Sequence, residues 1–271
     1  MVRGMTTFAV AMVIGWSGCS SPQKAESPVV DVSLGNYFFQ GPDTIPAGLV
    51  TFRLNLMGSD AHVMDLFRLD QGKRLKDLLA VGESALDSLW VTPVGGGVTA
   101  EGGNSPSYSL HLVPGHYIML CYFETNHIPH FANGMVREFD VVGTERVAEP
   151  AVADVRVELV DYGYHFSAPI AAGKRTLRVV NPSKQGHEMI VSRLKDGFTL
   201  AQAQARADSA DPKGPSPWEQ NGGVGDLAAG DSALMTVNFK PGTYRIFCYF
   251  RVKGDSLNHY QHGMHQIITV D

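Results

Sequence analysis

Short stretches in which hydrophobic and polar residues alternate predict β-strands along most of the chain. Residues 52–56, Phe-Arg-Leu-Asn-Leu, have the period of two that is typical of a strand with one buried face. Pro-Gly pairs at 114–115 and 241–242 predict turns into further strands. Helical stretches are expected only near Leu75–Leu89 and Leu200–Ala207. The pattern therefore favours an all-β fold with two short helical insertions.

The two halves of the chain repeat the same order of residues, which indicates an internal duplication. The strand sequence Tyr-Ile-Met-Leu-Cys-Tyr-Phe at 117–123 corresponds to Tyr-Arg-Ile-Phe-Cys-Tyr-Phe at 244–250. The offset between the halves varies only between 125 and 129 residues across five corresponding pairs, which are Gly48 and Gly173, His62 and His187, Trp90 and Trp218, Cys121 and Cys248, and Met135 and Met264. We therefore predict two similar β-sandwich domains, over residues 29–143 and 154–271.

Each half carries two histidines, a cysteine and a methionine in the same order, a set that can hold a metal ion. The candidate metal ligands are His62, Cys121, His130 and Met135 in the first half and His187, Cys248, His259 and Met264 in the second. Two imidazoles, a thiolate and a weak thioether are the ligand set of blue-copper electron-transfer sites. Because the cysteine closes a strand and the second histidine follows in the next loop, we expect both imidazoles and the thiol to lie about 3–4 Å apart. His127 and His262 are competing candidates in the same loops.

This order of ligands resembles the cupredoxin family, in which cysteine, histidine and methionine share one loop before the last strand. The loop from Cys121 to Met135 has the spacing found at the type 1 copper site of two-domain copper nitrite reductases, and the loop from Cys248 to Met264 is two residues longer before its histidine. The resemblance implies two tandem cupredoxin-like Greek-key β-sandwiches. It also implies one copper ion per half, with the first half the better match, and electron transfer with a redox protein as the partner.

The residues beside the two cysteines differ from those of the family's catalytic members, which flank the type 1 cysteine with histidines that lead to a second copper centre. Here Leu120 and Tyr122 flank the first cysteine, and Phe247 and Tyr249 flank the second. The sequence also contains no Gly-x-Ser-x-Gly, Walker or His-Glu-x-x-His motif. From these observations we predict that the protein is not an enzyme.

Residues 1–18 have the pattern of an export signal. Arg3 is the only charge, and the apolar stretch from Phe8 to Trp16 is too short to span a membrane. The stretch ends in Ser-Gly-Cys at Cys19, which resembles the lipobox of bacterial lipoproteins. An ordinary secretory signal with an incidental cysteine is the alternative. We expect a lipid anchor on Cys19, a polar tether over residues 19–28, and a location in the cell envelope, at the outer membrane or the periplasmic face.

Composition and charge narrow the function classes. The net charge of -5 argues against a nucleic-acid partner. Three cysteines without a C-x-x-C pair argue against a disulfide scaffold, although a bond between Cys121 and Cys248 stays an alternative. Three functions remain open: an envelope-anchored type 1 copper electron-transfer protein, a copper-binding or copper-delivery lipoprotein without redox traffic, and a metal-free β-sandwich that acts as an envelope interaction module.

Overall fold

Eighteen strands and two short helices occur in the part of the chain that the computed structural model describes, which is residues 27–81, 88–146, 148, 150–207, 214–252 and 254–271. The expected signal, Cys19 and most of the expected tether lie outside these residues. Across the described ranges, no helix is long and apolar enough to cross a membrane.

The elements of the first half are β1 (Val29–Gly35), β2 (Phe38–Gln40), β3 (Thr44–Met57), β4 (Val63–Leu69), α1 (Leu75–Val81), β5 (Val91–Val98), β6 (Ser107–Leu112), β7 (Gly115–Leu120), β8 (Glu124–Thr125), β9 (Ile128–Pro129) and β10 (Val136–Arg146). Those of the second half are β11 (Val155–Val160), β12 (Gly163–Phe166), β13 (Gly173–Val180), β14 (His187–Leu194), α2 (Leu200–Ala207), β15 (Trp218–Leu227), β16 (Ser232–Phe239), β17 (Gly242–Phe247) and β18 (His265–Val270).

In the first half, the long strand β3 joins the two layers of a sandwich. Its first residues pair with β10, its middle with β6 and its last residues with β1. Beyond β10 the sheet continues through β7 and β4 to β5. The predicted alternation is present: Phe52 and Leu54 are buried, whereas the intervening Arg53 is exposed and forms an ion pair with Asp31. Strand β3 therefore places one side in the core, as its sequence predicts.

The second half is a sandwich of two four-stranded layers. One layer has the order β12-β11-β13-β16 and the other has the order β15-β14-β17-β18. Helix α2 coincides with the stretch expected to be helical, and α1 begins at the expected Leu75 and continues to Val81. The prediction of an all-β fold built from cupredoxin-like β-sandwiches is confirmed.

The two halves are fused through backbone pairing as well as through side chains. Strand β6 pairs antiparallel with β16, so that one twelve-stranded sheet runs through both halves. Strands β5 and β15 also pack against each other, and a single bridge joins Ala100 to Asn221. We call this contact the seam. Gly225 is needed there, because a Cβ atom at that position would overlap the carboxylate of Asp65 from the other half. Most buried apolar residues of both halves form one continuous core, and a smaller separate cluster surrounds Leu78 of α1 in the first half.

Candidate metal centre

In the first half, His62, Cys121 and His130 converge on one point. The Nδ1 atoms of the two histidines are 3.1 Å apart, and the Cys121 Sγ atom lies 3.8 Å from His62 Nδ1 and 3.4 Å from His130 Nδ1. All three side chains are buried, with no more than 3% of any residue exposed. The distances agree with the separation of about 3–4 Å expected from the sequence.

Strand pairing brings the first histidine to the cysteine. Strand β4 pairs with β7 so that Asp65 faces Leu120, which sets the residues just before β4 beside the residue just after β7. The Val63 backbone N–H consequently donates to Cys121 Sγ at 3.4 Å. Thr99 fixes the backbone of His62, since the Thr99 hydroxyl accepts from the His62 N–H and donates to the His62 carbonyl. His62 and Cys121 are therefore fixed by the sheet itself.

The loop after β7 supplies the second histidine and the methionine. His130 begins a 3-10 turn, His130–Asn133, which Gly134 ends with a φ of 95°. The Met135 N–H donates to the His130 carbonyl at 3.0 Å, and the Met135 carbonyl accepts from the Cys121 N–H at 3.3 Å. Met135 is fully buried. The backbone of one short loop thus joins three of the four predicted ligands.

The second half repeats this arrangement at His187, Cys248, His259 and Met264. The two histidine Nδ1 atoms are 2.9 Å apart, and Cys248 Sγ lies 3.5 Å from His259 Nδ1. The Glu188 N–H donates to Cys248 Sγ at 3.2 Å, as Val63 does in the first half. The methionine carbonyl accepts from the Cys248 N–H, and the methionine N–H donates to the His259 carbonyl. All four residues are buried.

The competing histidines and the disulfide alternative are not supported by the geometry. In the described residues, the groups whose donor atoms lie within 4.8 Å of one another contain neither His127 nor His262. His262 instead forms a hydrogen bond with Asp255, at 2.9 Å. Cys121 and Cys248 are both free thiols.

The donor atoms fit a metal ion of the expected kind. In the first half, a point equidistant from the three donor atoms lies roughly 2.0 Å from each, whereas metal–nitrogen bonds measure about 2.0–2.1 Å and metal–sulfur bonds about 2.3 Å. Closure on an ion thus requires little movement. Two imidazoles and one thiolate with a methionine nearby are the donor set of blue-copper sites. The cofactor that both groups fit is copper.

Burial sets the protonation state of the metal-free groups. It raises the pKa of the Cys121 thiol to about 12, and it also raises the pKa of the Cys248 thiol. Burial, followed by repulsion from the second histidine, lowers the pKa of His62 to about 4, and burial also lowers the pKa of His130. At neutral pH the metal-free centre therefore holds a protonated thiol between neutral imidazoles.

Three carboxyl groups from both halves interact across the seam, near the two thiols. Asp65 comes from β4, and Glu188 and Asp226 come from β14 and β15. Burial, then repulsion from Asp226, raises the pKa of Asp65, and burial raises the pKa of Glu188 to about 8 and that of Asp226 to about 6. The Asp65 Oδ1 atom is buried without a hydrogen-bond partner among the described residues. The seam therefore holds an electrostatically costly cluster of acids.

Two tyrosines that the sequence analysis did not single out contact the second histidine of each half. The Tyr37 ring centroid is 5.2 Å from that of His130, and the Tyr162 ring centroid is 5.4 Å from that of His259. The two tyrosines are 125 residues apart, the same offset as His62 and His187. Extending the repeat comparison towards the N-terminus of each half finds them.

The strand topology and the donor geometry define the class: the chain is a copper-binding protein of the cupredoxin-like fold. No family model and no curated protein sequence matches it. Among solved structures, it is similar to reduced auracyanin from Roseiflexus castenholzii, with 19% identity over 43% of this chain and 94% of that one and a TM-score of 0.29. Auracyanin A from Chloroflexus aurantiacus gives 19% identity over 43% and 98% of the two chains, with a TM-score of 0.28.

A blue copper oxidase from Nitrosomonas europaea is similar at 16% identity over 91% of this chain and 86% of that one, with a TM-score of 0.27. These proteins all have the cupredoxin fold, as the sequence resemblance implies. The strand pairing and the donor distances of this chain define its fold and its site.

The prediction that the chain is not an enzyme is contradicted. The similar structures include a blue copper oxidase and multicopper oxidases, which are enzymes with a cupredoxin fold. The prediction relied on the residues beside Cys121 and Cys248, which are not histidines. The residues beside the cysteines concern only electron transfer from a type 1 site to a neighbouring copper centre. They therefore do not decide whether the chain is an enzyme.

Proposed function

We propose that the protein is an envelope-anchored electron-transfer protein with a type 1-like copper site in each half. The observation that carries this proposal is the repeated buried group of two Nδ1 atoms and one Sγ atom, built from equivalent residues in both halves. The two halves differ at many other positions, yet both keep the same donor geometry. This indicates that the donors serve the same function in each half. Bound copper would supply a one-electron couple between Cu(I) and Cu(II).

The residues of the chain favour electron exchange because they are held in place before any ion binds. Backbone hydrogen bonds fix both cysteine sulfurs, from Val63 in the first half and from Glu188 in the second. Burial of the donors excludes water from the ion. A donor set that does not rearrange keeps the same geometry for both oxidation states, which lowers the cost of gaining or losing an electron. Met135 and Met264 would supply a fourth, weaker donor in each half.

The direct test is copper loading of the soluble chain from residue 27 onward. We expect two copper ions per chain, a strong visible copper–thiolate band, and a reversible potential with bleaching of the band on reduction. Cys248→Ser should leave one ion and part of the band, and the double variant with Cys121→Ser should leave none of the band. Copper uptake without a reversible couple would favour a copper-delivery protein. Absence of copper after loading would favour the metal-free interaction module.

The anchoring part of the proposal rests on the sequence before residue 27. The short apolar segment that ends in Ser-Gly-Cys, followed by a polar stretch, supports export and acylation at Cys19. In a bacterial host we expect the full-length chain to incorporate labelled fatty acid and to fractionate with membranes. Cys19→Ser should abolish the label and move the protein to the soluble envelope fraction. Membrane association that is unchanged in this variant would contradict lipid anchoring.

A further inference from the structure

We propose that Tyr37 and Tyr162 are positioning residues of the two metal groups: each closes its site to solvent by placing its ring against the second histidine. This inference rests on the proposed function, because it assigns to the tyrosines a role in holding a metal site. The role has two parts, to keep the imidazole in its ligating orientation and to slow the exit of the ion.

Both tyrosines occupy the same position in equivalent hairpins. Strands β1 and β2 are joined by a two-residue turn, Asn36-Tyr37, because Gly35 pairs with Phe38. Strands β11 and β12 are joined in the same way by Asp161-Tyr162. The hairpins lie far along the chain from the histidine loops, so folding of each sandwich is what brings tyrosine and histidine together.

The backbone at these turns would suit glycine better than tyrosine. The φ angles are 62° at Tyr37 and 64° at Tyr162, in the left-handed region that a bulky side chain rarely adopts. The second central position of such turns is ordinarily occupied by glycine. The other non-glycine residues with positive φ in the described ranges are Gln71, Asn126 and His127. A tyrosine retained twice at a position that favours glycine indicates that its ring is required.

The ring contacts show what that requirement is. Tyr37 meets His130 edge-on, at an interplanar angle of 78°, and Tyr162 meets His259 at 86°. Each tyrosine is 38–39% exposed, whereas His130 is 3% exposed and His259 is 1% exposed. The tyrosine thus lies at the surface, with the histidine beneath it. Edge-to-face pairs of this kind are favourable by about 0.5–1.5 kcal/mol beyond the area they bury.

The His130 ring has neighbours other than Tyr37, and they lie within the site or in the same loop. The Nδ1 atom of His130 faces the other donors, and its Nε2 atom is 2.9 Å from the Thr125 hydroxyl in the same loop. The ring of His62 also lies against the His130 ring, with the two centroids 5.0 Å apart.

In the second half, Tyr162 also contacts His262, with the ring centroids 4.8 Å apart, and Phe250 contacts His259. In both halves a tyrosine ring is therefore one of the groups that hold the second histidine in its orientation.

The test compares three substitutions at Tyr37 in a Cys248→Ser background, in which only the first site keeps its thiolate. Excess EDTA removes copper, and the decay of the visible band gives the rate. We expect Tyr37→Ala and Tyr37→Gly to speed removal by roughly three- to tenfold, and Tyr37→Phe to stay within about twofold of the parent. Tyr162→Ala in the same background is the matched control, since it makes the same change at the other site and should leave this rate unchanged.

The glycine variant separates a positioning role from a purely structural one. Glycine relieves the strained φ, so Tyr37→Gly should be more stable to urea than Tyr37→Ala. If the tyrosine served only the turn, removal rates would follow stability, and the glycine variant would keep the parental rate. Equal acceleration in both variants supports the proposal, and a parental rate in Tyr37→Gly overturns it.

A second readout compares the wild-type chain with Tyr37→Gly, both without metal, so it is independent of copper binding. Diethyl pyrocarbonate modifies accessible histidines, and mass spectrometry of peptides locates the modification. We expect Tyr37→Gly to raise the modification rate of His130 severalfold, while His111, whose side chain is 58% exposed, stays unchanged as the internal reference. An unchanged rate at His130 would overturn the covering role even if copper binds. Faster modification in a chain that binds no copper would uphold the cover and reject the proposed function.

Discussion

Copper binding at the first site should strengthen about tenfold for each pH unit between pH 6.5 and 8.5. The reason is that a thiolate binds the ion, whereas burial raises the pKa of Cys121 to about 12 in the metal-free protein, so that binding must expel one proton. The imidazoles contribute no further proton in this range, because burial lowers the pKa of His62 to about 4 and also lowers the pKa of His130. Over two pH units the apparent affinity should rise about a hundredfold.

Competition with a copper chelator of known proton dependence, in the Cys248→Ser background, measures this slope. Release of one proton per ion into a weakly buffered solution gives a second measurement of the same quantity. Cys121→Ser should bind copper much more weakly and without the slope, because its hydroxyl keeps its proton. A flat profile in the parent would mean either that Cys121 is already a thiolate or that it is not a ligand.

The metal-free protein should lose stability as the pH rises from 7 to 9. Burial raises the pKa of Glu188 to about 8 and raises the pKa of Asp65 well above its usual range, so the folded state holds protons that the unfolded state has already lost. Stability that depends on such groups is fully present below the unfolded pKa of about 4 and disappears as the pH passes the folded pKa. A group with a folded pKa near 8 lowers the unfolding free energy by about 1 kcal/mol between pH 7 and 9.

Urea unfolding at several pH values tests this prediction, and Asp65→Asn is the informative variant. The amide cannot ionise, so the variant should show a shallower fall in stability and should be more stable than the wild type at pH 9. Asp43→Asn is the matched surface control, because the Asp43 side chain is 89% exposed, and its profile should run parallel to that of the wild type. A wild-type profile that is flat from pH 7 to 9 would show that the seam acids do not hold protons in the folded state.

The metal groups could be predicted from the sequence because the same order of histidine, cysteine and methionine occurs in both halves. A single His, Cys and Met in a strand-rich chain are ordinary core residues, but the same order at offsets of 125 to 129 residues selects His62 with His187 and Cys121 with Cys248. The distances then follow from strand pairing, since β4 lies beside β7 as β14 lies beside β17. Tyr37 and Tyr162 carry the same signal, and their contacts depend on hairpins that are remote in sequence from the histidine loops.

The acids at the seam could not be found in this way, because they break the repeat. Asp65 corresponds to Ile190, and Glu188 corresponds to Val63. Their contact arises only when the two halves meet, and the alternation of polar and apolar residues does not specify which sheet edges pair between two sandwiches. A glycine-rich stretch in both β5 and β15 marks the strands that come close, but it does not name their neighbours.

The pairing of β6 with β16 has a consequence for the symmetry of the molecule. Tyr108 faces Met235, and these two residues are equivalents at an offset of 127, so an approximate two-fold axis passes between them. Equivalent surfaces therefore meet, as the two subunits of an isologous homodimer do. The two halves of this one polypeptide are therefore arranged like the two subunits of such a dimer. In a true homodimer every interface substitution occurs on both sides at once. Covalent linkage removes that constraint, which explains how Asp65 stands on one side of the seam opposite Glu188 and Asp226 on the other.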